Sequence, residues 1–186
     1  MTKRRSILVS VAIVAGGLLW YLFRPDALVL TRTVNEPFPA AERTSSMTAS
    51  SEMAHSAMAN ESGMHEPSAA EPVKLVAGRF HSNAHETRGA ATIYRLDDGR
   101  QVLRLTEFTT SNGPDVRVYL VAAADVQEED AAKQAGFVDL GPLKGNIGDQ
   151  NYDVAEGLDL TKYRAVSIWC RRFSVNFGAA PLTDGM

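Results

Sequence analysis

The stretch AVSIWCRRFSVNF, residues 165–177, decides the fold class of this chain. Its apolar side chains recur at every second position, which is the spacing of a β-strand with one buried face. They form two sets of different parity, Val166, Ile168 and Cys170 followed by Phe173, Val175 and Phe177. Because a shift of one residue reverses the face of a strand, both sets can point inward only if a turn or bulge lies at Arg171 and Arg172. The stretch therefore predicts two consecutive core strands, with Cys170 at the end of the first, beside two cations.

Short β-rich runs of the same kind continue from this stretch toward the amino terminus. Residues 91–96 and 101–108 flank the turn sequence Asp-Asp-Gly-Arg, which predicts a hairpin. Residues 116–121 alternate as in a half-buried strand. One short helix is expected, with Asp125 as its amino-terminal cap and Gly136 at its exit. The predicted fold class is all-β, a β-sandwich or barrel-like domain with one short helix, over residues 72–186.

The amino terminus has the sequence pattern of a membrane anchor over residues 1–24. Lys3, Arg4 and Arg5 precede an apolar run from residue 7 to residue 23. As a helix this run would reach roughly 25 Å, against a hydrocarbon thickness of about 30 Å. The cations before the run keep the amino terminus cytoplasmic and send the remainder across the membrane, so the domain is expected to be periplasmic or extracellular. A cleaved signal peptide is the alternative, although no small-residue cleavage site follows the run.

Residues 25–71 have the composition of a disordered linker, rich in Ser, Ala, Thr, Pro, Glu and Met. A flexible coil of this length has a root-mean-square reach of roughly 35–40 Å. The linker also contains thioether and imidazole side chains, which are soft ligands suited to copper. These residues are Met47, Met53, His55, Met58, Met64 and His65. Compositional drift in an unstructured spacer explains the same residues equally simply.

Length, charge and cysteine content exclude some classes of protein. The chain has 186 residues, which suits one domain of ordinary size with additional segments. Its formal net charge of -3 argues against nucleic acid as a partner. One cysteine cannot form an internal disulfide, a four-thiolate zinc site or the paired-cysteine attachment of haem. No Gly-x-Ser-x-Gly nucleophile motif is present, so hydrolysis is not supported.

Cys170 is the residue of greatest chemical interest. Arg171 and Arg172 favour its thiolate if their side chains approach the sulfur, and a thiolate can be oxidised, can exchange with a partner or can bind metal. The strand parity equally allows a buried cysteine that packs as a small apolar side chain. With His81 and His85, Cys170 would supply the two-histidine, one-cysteine ligands of a copper centre. Haem held by His85 or Cys170 is a further alternative.

A second group of candidate ligands lies in the segment 149–153. Asp149, Asn151 and Asp153 alternate like the first ligands of a calcium loop. The pattern then fails, because Val154 stands where an EF-hand needs glycine and Leu160 where it needs glutamate. A non-standard cation loop and a network of Asx turns both remain open.

Several phrases of the sequence occur together in a familiar order. They are Gly78-Arg79-Phe80, His85 with Gly89 following, SNGPDVRVYL (111–120), LGPLKGNIGDQNYDV (140–154) and VSIWCRRFSVNFGAAPL (166–182). In order and spacing from Gly78 to Leu182 the chain resembles the DM-thirteen domain family, also called the electron-transfer DM domain, in its bacterial membrane-anchored, single-domain form.

The resemblance implies a small all-β domain outside the cytoplasm, with a redox or electron-transfer role centred on Cys170 and a redox partner protein. Haem or copper as cofactor stays open. The alternative is a non-catalytic module that holds a ligand, cation or protein on residues 112–115 and 144–153. Either role is that of an electron-transfer or binding domain rather than a complete enzyme. The ligand-binding or redox-neighbour candidates are His85, Asp115, Asp149, Tyr152 and Trp169, with Phe173 as a further neighbour of Cys170.

Overall fold

A computed structural model describes residues 11–18, 20–21, 30–39, 71–127 and 131–184. Over these described residues the domain has ten strands and one helix, of which five residues are described. In chain order they are β1 (Val73–Arg79), β2 (His81–Ser82), β3 (Arg88–Arg95), β4 (Gln101–Thr109), β5 (Val116–Val121), α1 (Ala131–Ala135), β6 (Phe137–Pro142), β7 (Gln150–Val154), β8 (Ala165–Cys170), β9 (Val175–Pro181) and β10 (Thr183–Asp184).

The strands form two antiparallel sheets of five strands each. The first sheet has the order β10-β1-β3-β4-β7, and the second has the order β2-β9-β8-β5-β6. The predicted hairpin is β3 and β4, joined by the turn in which Gly99 has a φ of +89°. That conformation favours glycine because it has no Cβ.

The two sheets enclose one main hydrophobic core, so the predicted all-β, sandwich-like fold is confirmed. Ile93 and Leu103 of the first sheet and Val118 and Ile168 of the second are fully buried in it. A smaller cluster on the other face of the second sheet contains Tyr119, Val121, Val126, Ala132 and Trp169 among its members. Val118 and Tyr119 therefore lie on opposite faces of β5, as strand periodicity requires.

A bulge between β3 and β4 brings Phe108 into the core. Leu103 and Leu105 share one parity and Phe108 has the other, yet all three are fully buried. The pairing shifts between Arg88 and Ala90 of β3, and Glu107 opposite has a φ of +49°. This local change of conformation reverses the face of the strand, so that Phe108 also points inward.

The parity change predicted near Arg171 and Arg172 is produced by a turn over residues 171–174. Cys170 pairs with Val175 across this turn, so an even-numbered and an odd-numbered residue face the same core. The expectation that Phe173 also points inward is wrong. Its side chain is 56% exposed, because it belongs to the turn and not to the strand that follows.

The short helix is present as α1, and Gly136 ends it with a φ of +86°. Residues 128–130, between Asp125 and α1, lie outside the described residues. Asp125, expected to cap the helix, accepts a hydrogen bond from the backbone N–H of the next residue, Val126, at 2.7 Å and lies 2.8 Å from His81 Nε2. The side chain thus joins the loop before α1 to β2.

The predicted anchor over residues 1–24 lies largely outside the described residues. Residues 11–18 and 20–21 are helical. Among the described residues, no helix combines the length and the apolar composition needed to cross a membrane.

Residues 31–39, which the sequence places within the disordered linker of residues 25–71, lie instead against the domain. We call residues 31–39 the docked segment. Thr33 forms a parallel bridge with Ile147, and the Val34 N–H donates to the Ile147 carbonyl at 2.9 Å. Residues 40–70, with the Met and His residues of the linker, lie outside the described part of the chain.

Phe108 and Phe173 provide a matched test of this fold. Phe108→Ala removes a fully buried ring, and we expect the free energy of unfolding to fall by about 3–5 kcal/mol. Phe173→Ala removes an exposed ring and should change it by less than about 0.5 kcal/mol. Urea unfolding of both full-length variants in detergent, followed by tryptophan fluorescence, measures the difference. Equal losses for the two variants would contradict the assignment of their environments.

Candidate functional site

The Cys170 side chain lies inside the main core at the carboxyl end of β8. Its exposed fraction is 0%, and its cross-strand partners are Val116 on β5 and Val175 on β9. The turn of residues 171–174 follows directly. Of the two readings of Cys170, the structure shows the packing of a buried apolar side chain.

Arg171 and Asp115 bind each other beside Cys170. Arg171 Nε donates to Asp115 Oδ2 at 2.8 Å, and the Arg171 N–H donates to the Asp115 carbonyl at 2.9 Å. Arg117 Nη1 lies 3.8 Å from the other carboxylate oxygen of Asp115. Asp115 therefore holds the turn after Cys170 against the residues that precede β5.

Trp169 occupies the opposite face of β8 from Cys170. Its ring is 3% exposed and stacks on Tyr119, with the ring centroids 6.4 Å apart. Tyr119 stacks in turn on Phe137 at 4.2 Å, and Phe137 is 42% exposed. Lys133 of α1 lies over the Trp169 ring at 5.6 Å. The three rings lead from the strand that carries Cys170 to the protein surface.

Burial raises the pKa of the Tyr119 phenol, and the nearby Asp139 carboxylate raises it further. The neutral phenol is therefore the stable form of Tyr119 over a wide range of pH.

His81 and His85 do not assemble with Cys170 into a metal site. His81 binds Asp125 on the outer face of the second sheet, whereas Cys170 lies on its inner face. The His85 ring is half-buried and lies on the Phe177 ring, with the centroids 3.9 Å apart. In the described part of the chain, no group of three His, Cys, Asp or Glu residues could hold a metal ion. The described structure does not bring His81, His85 and Cys170 together, because His81 and Cys170 lie on opposite faces of the second sheet.

The described residues also do not fit a haem ligated by Cys170. That side chain is enclosed by the core and has an exposed fraction of 0%. A haem ligand needs an open space beside the ligating atom.

Asp149 and Tyr152 support the loop of residues 144–151, which we call the glycine loop. Asp149 Oδ2 accepts from Arg104 Nη2 at 2.7 Å, and its Oδ1 accepts from the Glu107 N–H at 3.0 Å. The Tyr152 hydroxyl donates to Gln150 Oε1 at 2.9 Å and accepts from the Lys144 N–H at 3.1 Å. Both oxygens of Asp149 thus have partners within the protein, which favours a network of internal hydrogen bonds over a cation loop.

Burial raises the pKa of Tyr152 well above its ordinary range. The phenol therefore stays protonated and keeps its hydroxyl donor for Gln150.

Sequence reasoning missed three residues that organise the glycine loop. Gln150 is fully buried and accepts from the N–H groups of Lys144 and Gly145, while its own amide donates to the Gly145 carbonyl at 2.8 Å. Arg104 and Glu36 are the other two. The repeated glycines of the loop were a signal for a close approach of backbone, but nothing in the sequence indicated that residues 31–39 make that approach.

The two loops proposed as a binding surface are brought together. Asn112 and Asp115 of one and Lys144 and Asn146 of the other line a cavity of about 330 Å³. A second cavity, of about 420 Å³, is lined by Lys144, Asn151, Tyr152 and Asp153 together with Glu36 of the docked segment.

The Asp125–His81 contact predicts a specific dependence of stability on pH. Burial alone raises the pKa of Asp125, but hydrogen bonds from His81, Gln127 and the Val126 N–H outweigh it and hold the pKa below its ordinary value. A carboxylate with a lowered folded-state pKa stabilises the fold above its unfolded pKa of about 4, and this contribution is lost as the pH falls through the folded pKa.

We therefore expect Asp125→Asn to cost on the order of 1 kcal/mol at pH 6 and clearly less at pH 3. Urea unfolding of the full-length protein at both pH values measures the cost. In a His81→Gln background the difference between the two pH values should shrink, because one stabilising partner is gone. A cost that is the same at pH 6 and pH 3 would disprove the assignment.

Comparison with known proteins gives one match. The family model described as Electron transfer DM13 matches residues 79–182. No curated protein and no solved structure matches the chain. The matched residues run from the end of β1 to the residue before β10 and include both loops and Cys170. Because this match covers more than half of the chain, the protein belongs to the DM13 electron-transfer domain family.

Proposed function

We propose that this protein is a membrane-anchored, extracytoplasmic electron-transfer domain in which Cys170 is the redox centre and a separate protein is the partner. Membership of the electron-transfer family supports the general role. The anchor and the location rest on the cations and the apolar run of residues 1–24.

The position of Cys170 is the observation that carries the proposal. Its sulfur is excluded from solvent, yet the next four residues form a turn of which the first three are exposed. Disulfide exchange needs direct approach of an attacking sulfur, which this core prevents. The step that suits a buried thiol is therefore electron exchange over a short distance.

Trp169 and Tyr119 provide the neighbouring aromatic groups for such an exchange. Trp169 is joined to Cys170 through the backbone, and Phe137 extends the stack to the surface. Tyr152 lies on β7 of the first sheet and Phe173 in the exposed turn, so the route along the second sheet uses neither.

Cys170→Ser tests the thiol-centred role, with Val118→Thr as its control. Both variants introduce a hydroxyl into the same core, and Val118 pairs with Ile168 on the strand that carries Cys170. We expect the full-length protein to give a voltammetric signal that Cys170→Ser abolishes and Val118→Thr retains. Circular dichroism checks that both variants are folded. A voltammetric signal that persists in Cys170→Ser would contradict the proposal, and so would the absence of a signal from the unaltered protein.

A binding role is the second candidate, and the cavity between residues 112–115 and 144–146 favours it. Asp149→Ala is a poor test of that role because Asp149 supports the bulge at Glu107. Asn112→Leu changes a polar group that lines the cavity. Ligand-observed NMR with a library of small polar compounds should detect binding to the unaltered full-length protein and its loss in Asn112→Leu. Equal binding by the two proteins, or no binding by either, would count against this role.

The proposed location has its own test. Trypsin added to intact spheroplasts should cut the linker and release the domain into the supernatant. Replacing Lys3, Arg4 and Arg5 by glutamate should reduce that release severalfold, because the cations before the apolar run set its orientation. Retention of the unaltered protein in an uncut form would contradict an extracytoplasmic location.

A further inference from the structure

The docked segment pairs with the glycine loop through its backbone. The Ile147 N–H donates to the Arg32 carbonyl at 3.3 Å, and the Val34 N–H donates to the Ile147 carbonyl at 2.9 Å. Two residues further on, the Glu36 N–H donates to the Asp149 carbonyl at 2.9 Å. This alternation is the hydrogen-bonding pattern with which an extended peptide adds to a protein as an extra strand.

Two glycines leave space for the backbone of the docked segment to approach the glycine loop. A Cβ atom on Gly145 would lie 2.5 Å from the Arg32 carbonyl oxygen, and one on Gly148 would lie 2.1 Å from that of Val34. Gly148 also has a φ of +102°, which L side chains rarely adopt. Any larger residue at these positions would displace the docked segment.

The side chain of Glu36 supplies the most specific contacts. Lys144 Nζ lies 2.8 Å from one carboxylate oxygen and 2.9 Å from the other. The Asn151 N–H donates to Glu36 Oε2 at 2.8 Å. A part-buried carboxylate held by an ammonium group and a backbone N–H makes charge-assisted hydrogen bonds, which are stronger than neutral ones.

Arg104 and Tyr94 bind the residues around Glu36. Arg104 Nη1 donates to the Glu36 carbonyl at 3.1 Å, and the Arg104 guanidinium lies 5.7 Å from the centroid of the Phe38 ring. The Phe38 ring also meets Tyr94 edge to face at 5.0 Å. Asn151 Nδ2 donates to the Pro37 carbonyl at 2.8 Å. Backbone hydrogen bonds, charged groups and aromatic rings thus all bind the docked segment.

We infer that the glycine loop, together with Arg104 and Tyr94, forms a binding site for an extended peptide that carries a single glutamate. The peptide class has a glutamate followed two positions later by an aromatic residue, and the docked segment fills the site within the same chain. The site does not involve Cys170 and goes beyond the proposed electron-transfer role.

Occupation of this site limits how far the domain can move from the proposed anchor. The seven residues between Arg24 and Arg32 span at most roughly 25 Å. The whole linker, if free, would have a root-mean-square reach of roughly 35–40 Å and a much longer maximum. This consequence rests on the proposed anchor, whereas the peptide site does not.

Hydrogen–deuterium exchange of the full-length protein in detergent tests the site. The amides of Val34 and Glu36 should be protected in the unaltered protein because both donate to the glycine loop. Glu36→Ala should accelerate their exchange on the order of tenfold, and Gly148→Val by at least as much. Thr33→Ala, which changes an exposed side chain of the same segment, should leave their exchange unchanged.

A labelled peptide of residues 31–39 tests recognition separately from folding. It should bind full-length Glu36→Ala more tightly than the unaltered protein, because the competing segment is weakened. It should not bind when Gly148→Val is added. Failure of the peptide to bind Glu36→Ala, or unprotected amides in the unaltered protein, would overturn the inference. Neither measurement requires a membrane or a redox partner. Evidence against the proposed anchor or the electron-transfer role would therefore leave the peptide site standing, and evidence against the peptide site would leave those two proposals standing.

Discussion

The contact between Arg104 and Asp149 is the interaction on which several parts of the structure depend. The 2.7 Å hydrogen bond joins β4 to the glycine loop. The second oxygen of Asp149 accepts from the Glu107 N–H, at the point where β4 reverses its face and sends Phe108 into the core. Arg104 is largely buried, with 12% of its side chain exposed, whereas the Asp149 side chain is 33% exposed, so the pair is partly shielded from water.

The same two residues also receive the docked segment. Arg104 donates to the Glu36 carbonyl, and the Asp149 carbonyl accepts from the Glu36 N–H. A change at Asp149 would therefore act on the bulge, the loop and the docked segment together. Cys170, by contrast, lies in the second sheet, where Asp115 and Arg171 hold the adjoining turn. The peptide site and the redox candidate thus depend on different contacts.

Much of the fold could be predicted because it follows from local pattern. Strand alternation, the Asp-Gly turn and the two parities in residues 165–177 identified β3, β4, β5, β8 and β9. The position of Phe173 could not be predicted, because an apolar residue next to a turn satisfies the alternation without belonging to the strand. Leu103 and Leu105 differ in parity from Phe108, and this difference is present in the sequence. It corresponds to the bulge in the pairing of β3 with β4.

The candidate site could be predicted less completely, because its partners are distant in sequence. Spacing indicated that residues 112–115 and 144–153 form loops; the structure places residues 112–115 and 144–146 beside one cavity, whereas residues 150–153 belong to strand β7. Nothing local to Glu36 shows that it meets Lys144, 108 positions away. His81, His85 and Cys170 could not be excluded as a copper set from the sequence, because residue types and spacing do not show which face of a sheet each side chain occupies. In the structure His81 and Cys170 lie on opposite faces of the second sheet.

The lengths of the outermost strands affect how this domain behaves at high concentration. One edge of the first sheet is β10 and one edge of the second is β2, and each has two residues. A strand this short leaves few free N–H and C=O groups in a row, so another chain has little to pair with at these edges. At those two edges, strand length over the described residues therefore opposes edge-to-edge aggregation, and the exposed carboxylate of Asp184 in β10 acts in the same direction.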